Sequence, residues 1–438
     1  MKVLVEQGRE IASGAFVSCV PEIEPPKGWG APIGAALVYD GEKTHIPTRM
    51  GTPRADQMQG TELERLAELA GRTCYDSLGS GRNSEDYHNH IREVGHLSTL
   101  EHANVTFSFL ARSRTEVANF AIGVANRPGV HWSVGSEGRD DRVRVTLNAR
   151  TLYEMSIAQV AAQMPEPSPW TAYSGEGPTW IARAIAQVIQ RASLSLFARL
   201  TATEIPFDGT VDRFFCPFYG DKDARIVAPE APDEKWVSLY IEGSRIMSHE
   251  IVRHGDWTAI SQRSGRYCDE SETDMVLHPA MEQFLRCGKP LDPEAGGIEA
   301  AGPEWVGDVL KESDYEDRGN YRFLVGVLER NLLASQAVQA MPEAFRKTSA
   351  RKQARSAARG VLGHSLGTAM IFSASVRQWR HMLRMRAADA ADAEIRALFA
   401  ECILPILQAS RYGADFADLS TQPASDGIGR CLAGGGAK

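Results

Sequence analysis

A chain of 438 residues with 43% hydrophobic and 24% charged residues has the composition of a globular protein long enough for two or three domains. Its formal net charge of −8 gives no global basic field, which argues against non-specific nucleic-acid binding and leaves local basic clusters to small anions or ion pairs. Cys19, Cys74, Cys216, Cys268, Cys287, Cys402 and Cys431 form no Cys-x-x-Cys pair, a pattern that fits reduced thiols in the cytoplasm. No apolar h-region opens the chain, and no run approaches the roughly 18 apolar residues of a membrane span, so a soluble protein with no membrane partner is expected.

Residues 1–60 are rich in Gly and Pro and read as an accessory segment with strand-like pieces such as Ala35–Tyr39. From Thr61 the apolar spacing predicts a helix through Leu63, Leu66, Leu69 and Ala70, followed by Arg72-Thr73-Cys74-Tyr75 and a polar loop to Asn83. A second helix, Glu85 to Val94, stops at Gly95, a residue suited to a left-handed cap. Gly95-His96-Leu97-Ser98-Thr99-Leu100-Glu101-His102 then precedes an alternating strand, Val105–Leu110. Two histidines and a glutamate here fit a metal site, although the spacing is poor for zinc, or a structural pair of hydrogen-bonded histidines. A helix start at Ser113-Arg114 and an Asn148-Ala149-Arg150 element follow.

After a Pro- and Gly-rich stretch at 164–178 the order begins again. A helix from Trp180 to Phe197 leads into Ala198-Arg199-Leu200-Thr201, and a strand, Trp236–Ile241, leads into a short helix, Ser244–Val252. Next come Arg253-His254 and, eleven residues past Arg253, Ser264-Gly265-Arg266-Tyr267. That triplet can offer one phosphate a hydroxyl, backbone N–H groups and a guanidinium, although a lone Ser-x-Arg is also what a solvated basic loop looks like. Residues 281–330 read as helix, insertion, helix; Arg351–Leu362 as a basic helix; Ala369–Ser373 as a strand. Ser375-Val376-Arg377-Gln378-Trp379-Arg380-His381 runs on to Arg384 and Arg386, and a long helix spans Asp389 to Ser410. The repetition, with a period far longer than a solenoid's, suggests a fused duplication: a first lobe at 61–178, a second at 179–420 and a tail at 421–438.

These blocks resemble the flavin-dependent thymidylate synthases. That family carries Gly-His-x-Ser/Thr-x-x-Glu-His after an Ala-Arg-x-Cys/Ser-Tyr/Phe element, then Arg-His-Arg with a closing Ser-x-Arg-Tyr, then Asn-x-Arg-x-Trp-Arg-His and a terminal Arg. The resemblance implies an α+β fold of two such lobes, each an antiparallel or mixed sheet flanked by long helices. It implies C5 methylation of a pyrimidine nucleotide, dUMP to dTMP, with FAD as cofactor, NADPH as reductant, methylenetetrahydrofolate as co-substrate and no protein nucleophile. Arg386 and His96 align with catalytic positions. Ser264, Gly265, Arg266, Arg359, Glu250 and Gln262 align with the nucleotide set; Arg253, His254, His381, Arg377 and Ser98 with flavin or folate contacts; no metal is implied. Members are homotetramers, so a duplicated chain implies a homodimer forming a pseudo-tetramer, with each site taking His96 from one copy and Arg253, Ser264 and Arg266 from another.

The chain departs from this pattern at several places. Gly255 and Asp256 stand where the third residue of Arg-His-Arg and its neighbour belong, Glu250 where Gln is usual, Ala259 where Ser is usual, and Ser375 for Asn. Such shifts leave open another pyrimidine nucleotide, UMP or dCMP, as substrate, or a silent nucleotide- or flavin-binding relative.

Overall fold

In the computed structural model the described residues are 2–3, 16–20, 29–111, 130–137, 140–151, 225–255, 258–290, 292–294 and 297–433. The strands are β1 (Lys2–Val3), β2 (Phe16–Val20), β3 (Trp29–Ala31), β4 (Ile33–Tyr39), β5 (Asn104–Ala111), β6 (Val130–Glu137), β7 (Asp140–Asn148), β8 (Arg225–Ile226), β9 (Trp236–Ser244), β10 (Thr258–Gln262), β11 (Met275–Val276), β12 (Gly367–Ser375), β13 (Leu419–Pro423) and β14 (Gly429–Ala433). The principal sheet runs β1-β2-β4-β9-β12-β10, antiparallel throughout, and a second sheet runs β6-β7-β5-β8. The fold is α+β.

β9 is the spine of the principal sheet because both of its faces are apolar. Val237, Leu239 and Ile241 join Met370, Phe372 and Ala374 of β12 in one core, and Tyr240 joins Ile371, Ala36 and Val38 in another. Such near-continuous burial is the mark of a strand covered on both sides. Helix α1 (Glu62–Tyr75) covers the second face with Leu66, Leu69 and Ala70. Thr61 and Glu64 cap it reciprocally: Glu64 N donates to Thr61 Oγ1, and Thr61 N donates to Glu64 Oε2. Residues 1–60 thus supply β1, β2 and β4 to the sheet, while α1 and the 3₁₀ turn Leu97–His102 lie against β10.

The first face is covered by α3 (Arg245–Ile251) and α7 (Val376–Arg386); between α1 and α7 in the chain lie α2 (Ser84–Glu93), α4 (Pro279–Cys287), α5 (Pro303–Ala334) and α6 (Glu343–Ala358). Serines start both helices. Ser244 Oγ accepts from Met247 N at 3.0 Å, and Ser375 Oγ from Gln378 N at 3.3 Å. The antiparallel register sets Ser244 opposite Gly367 and Ser375 opposite Trp236, so the helices leave opposite ends of the strand pair and run towards each other. Seven and eleven residues of helix span about 10 and 16 Å, close to the roughly 30 Å of a nine-residue strand. Their C-terminal ends therefore meet.

Elsewhere boundaries shift for identifiable reasons. The helix expected from Asp389 to Ser410 runs as Ala393–Ala397, a π-helical turn Leu398–Ile403 and Leu404–Ala409. Pro405 has no N–H to offer Glu401 four residues back, and the widened turn absorbs that misfit. The basic helix ends at Ala358, so Arg359 falls in the 3₁₀ turn Arg359–Val361. The helices expected at Ser113 and at Trp180–Phe197 lie outside the described residues.

His102 ties these layers together. Its Nδ1 lies 2.7 Å from Ser373 Oγ on β12 and its Nε2 3.0 Å from Ser261 Oγ on β10, and Ser373 Oγ donates to Ser238 Oγ on β9 at 2.5 Å. Both ring nitrogens are thus engaged by serines, the structural alternative raised for this histidine. Full burial pushes its pKa down to about 3. The unfolded chain takes up this proton below about pH 6.5 and the folded chain refuses it until far lower, so stability is lost as pH falls through that window. His102→Asn should flatten the fall by up to about 1.4 kcal/mol per pH unit. Urea unfolding of both proteins from pH 6.5 downwards measures this; parallel slopes would refute a neutral buried His102.

Candidate active site

At the meeting point of α3 and α7, Arg386 is bonded through all three guanidinium nitrogens. Nη1 donates to Glu250 Oε2 at 2.7 Å, Nη2 to the Glu250 carbonyl at 3.0 Å and Nε to His254 Nε2 at 2.8 Å. Since His254 Nε2 accepts, its proton is on Nδ1. Burial, then the charges of Arg386 and His381, hold the His254 pKa below its usual value. The His254 and His381 rings meet edge to face with centroids 5.8 Å apart, and Arg253 is exposed beside them. Two helix C-termini converge on this group, and their partial negative charge favours the cations gathered there.

A second group forms where β10 ends. Ser264 N donates to the Cys74 carbonyl at 3.0 Å, and Tyr267 N and Cys268 N turn back onto the Ser264 carbonyl, which fastens the Ser264–Arg266 turn to the end of α1. Beneath it the fully buried Glu270 accepts from Arg245 Nη2 at 2.8 Å and from Arg263 Nη1 at 2.9 Å. A Cβ on Gly265 would sit 2.8 Å from Glu270 Oε1 and 3.1 Å from Arg245 Nη2, so a larger residue there would have to displace this ion pair. Arg266 itself is exposed, its guanidinium carbon 5.9 Å from the Tyr267 ring.

Tyr267 is clamped by α6. Lys352 Nζ donates to its hydroxyl and Arg355 Nη1 to its carbonyl, both at 2.5 Å. The Tyr267 ring meets the Tyr75 ring edge to face at 4.8 Å, and the Tyr75 hydroxyl lies 3.1 Å from His96 Nδ1. Gly95, with φ of +68°, ends α2, and His96 N returns to the Ile91 carbonyl at 3.0 Å, which sets where the imidazole starts. Ser98 is half-buried in the next turn. Burial pushes the His96 pKa down.

The structure thus sorts the expected residues. Arg386, Glu250, His254, His381 and Arg253 come together; so do Ser264, Gly265 and Arg266 with His96 and Ser98 nearby. Gln262 spends its amide on Ser248 Oγ and Thr368 Oγ1, both at 3.1 Å. Arg359 is exposed beyond α6, and Arg377 pairs with Asp233 at 2.7 Å. Lys352 and Arg355 reach the turn instead; their three-residue spacing along one face of the basic helix is the signal that could have singled them out. Glu270 had no such signal. Among the described residues no hydrogen bond or ion pair passes directly between the two groups.

The family model described as thymidylate synthase complementing protein matches residues 224–409, from β8 to the helical segment Leu404–Ala409. Residues 224–409 form a domain of that family. Curated relatives agree: the flavin-dependent thymidylate synthase of Mycobacterium sp. (strain KMS) is 34% identical over 192 residues, 44% of this chain and 65% of the relative. That of Mycobacterium marinum is 35% identical over 192 residues, covering 44% of this chain and 64% of its own. The chain therefore spans about two thirds of the length of these relatives, at 65% and 64%. The matched region contains both Arg386 and the Ser264–Arg266 turn, whereas Tyr75 and His96 lie before it in the chain and reach it through the Tyr75–Tyr267 ring contact.

Proposed function

We propose that this protein is a flavin-dependent enzyme that methylates C5 of a pyrimidine nucleotide, dUMP to dTMP, with methylenetetrahydrofolate as carbon donor and NADPH as reductant. The observation that carries the reading is the link from the Ser264–Arg266 turn through Tyr267 and Tyr75 to His96, which sets a phosphate-binding chemistry beside a polarising imidazole. Ser264, the backbone of Gly265 and Arg266 bind the phosphate. Arg386, oriented by Glu250 and His254, faces negative charge that develops on the pyrimidine carbonyls as C5 becomes nucleophilic. The paired rings of His254 and His381 beside exposed Arg253 suit a flat heterocycle with a diphosphate, the donor set that FAD needs. When bound, FAD supplies the hydride that no side chain can carry.

Glu250 favours a second substrate. Its carboxylate is an acceptor-only group beside Arg386, which suits a base bearing an amino donor, as in dCMP. An absorbance spectrum of the purified protein, followed by turnover with dUMP, UMP and dCMP, tests both readings; a colourless protein inert towards all three would overturn them.

In the proposed assembly two chains complete each other's sites. Support comes from the exposed side chains of Trp305, Val309, Tyr315 and Phe323 along α5 with Phe345 on α6, an apolar surface that a second copy of the chain would cover. The duplication reading has its own support. Asn104 on β5 opposes Asn148 on β7 as Trp236 on β9 opposes Ser375 on β12. Asn148 Oδ1 then caps Thr151 N at 2.8 Å, as Ser375 caps Gln378 N.

A further inference from the structure

We infer that Tyr75 is a positioning residue that fixes His96 as the Nε2–H tautomer, so that the imidazole meets bound substrates as a hydrogen-bond donor and not as a base. The contact of 3.1 Å between the Tyr75 hydroxyl and His96 Nδ1 admits two arrangements: the O–H donates to the Nδ1 lone pair, or Nδ1–H donates to the phenol oxygen. A phenol is a good donor and a poor acceptor because its lone pair is shared with the ring, whereas the imine nitrogen of imidazole is the better acceptor of the two. The second arrangement would also oblige the phenol hydrogen to find another acceptor, and among the described residues this hydroxyl makes no other hydrogen bond, its ring standing edge to face with those of Tyr267 and His96.

Burial pushes the Tyr75 hydroxyl up to about 12 and the His96 imidazole down, so the phenol keeps its proton and burial favours the neutral imidazole. The ring that donates to Nδ1 is itself held: Tyr75 packs on Tyr267, and Tyr267 is clamped by Lys352 and Arg355. With Nδ1 occupied, the free edge of His96 presents Nε2–H, which polarises a carbonyl or imine without having to collect a proton.

The catalytic meaning of this tautomer rests on the function proposed above; the tautomer does not. The test is a long-range 1H–15N spectrum of the full chain labelled on histidine, with the His96 signals identified by their loss in His96→Gln. Wild type should show a protonated Nε2 and a pyridine-type Nδ1 at His96, and Tyr75→Phe should shift those signals towards a mixture of tautomers while the other histidines stay in place. A protonated Nδ1 in wild type, or unchanged His96 signals in a folded Tyr75→Phe, would overturn the assignment. The wild-type spectrum decides by itself if the variant does not fold. Methylation assays on the same preparations bear on the function alone, so failure of either idea is read separately.

Discussion

Arg386→Ala is expected to lower turnover about 10²–10³-fold, the typical loss when one preorganised donor aimed at developing charge is removed. Its effect on nucleotide affinity should be smaller, because the charge it meets forms mainly in the transition state. Three fixed hydrogen bonds from Arg386 to Glu250 and His254 mean that the guanidinium costs little to position, so most of its value is realised in the chemical step. Arg386→Lys should recover little, since an ammonium cannot reproduce a planar fork with those partners. Arg266→Ala gives the contrast: loss of one charge-assisted phosphate contact weakens nucleotide binding by about 1.5–3 kcal/mol, with turnover at saturation largely kept. Steady-state kinetics separate the two, and undiminished turnover of Arg386→Ala would remove this residue from the reaction.

Glu270→Ala should be the most damaging change to stability, by about 3–5 kcal/mol. Its carboxylate has no exposure and neutralises Arg245 and Arg263, whose side chains are only 21% and 18% exposed. Without it two cations face each other under Gly265, and the turn above loses its floor. Glu270→Gln keeps the volume and two polar atoms and should lose less. Urea midpoints of the three proteins test the ranking; equal midpoints would show that the arginines reach water freely.

Local chemistry explains what was legible in the chain. Ser244 and Ser375 announce helix starts because a hydroxyl caps the helix that follows within three residues. Gly95 announces a helix end because the left-handed conformation there favours glycine. Hydrophobic alternation in Trp236–Ile241 marks β9, although not its extension to Ser244. The Tyr75–Tyr267 contact and the Glu270 ion pairs join segments remote in sequence, and no periodicity encodes which side chains will meet there. Arg377 and Arg359 match motif spacing, but position along a helix does not say what faces them. Asp233 claims the first, and the early end of α6 leaves the second beyond its last turn.

The end-to-end meeting of α3 and α7 makes chain length a constraint as strict as residue type. Deleting one residue from Val376–Arg386 would turn the last side chain about 100° around the helix and withdraw it about 1.5 Å. Arg386 would then point away from Glu250 and His254, although no atom of the pair had been altered. Substitutions at the exposed Arg384 and Met385 of α7 should be absorbed, whereas insertions and deletions within the helix should not.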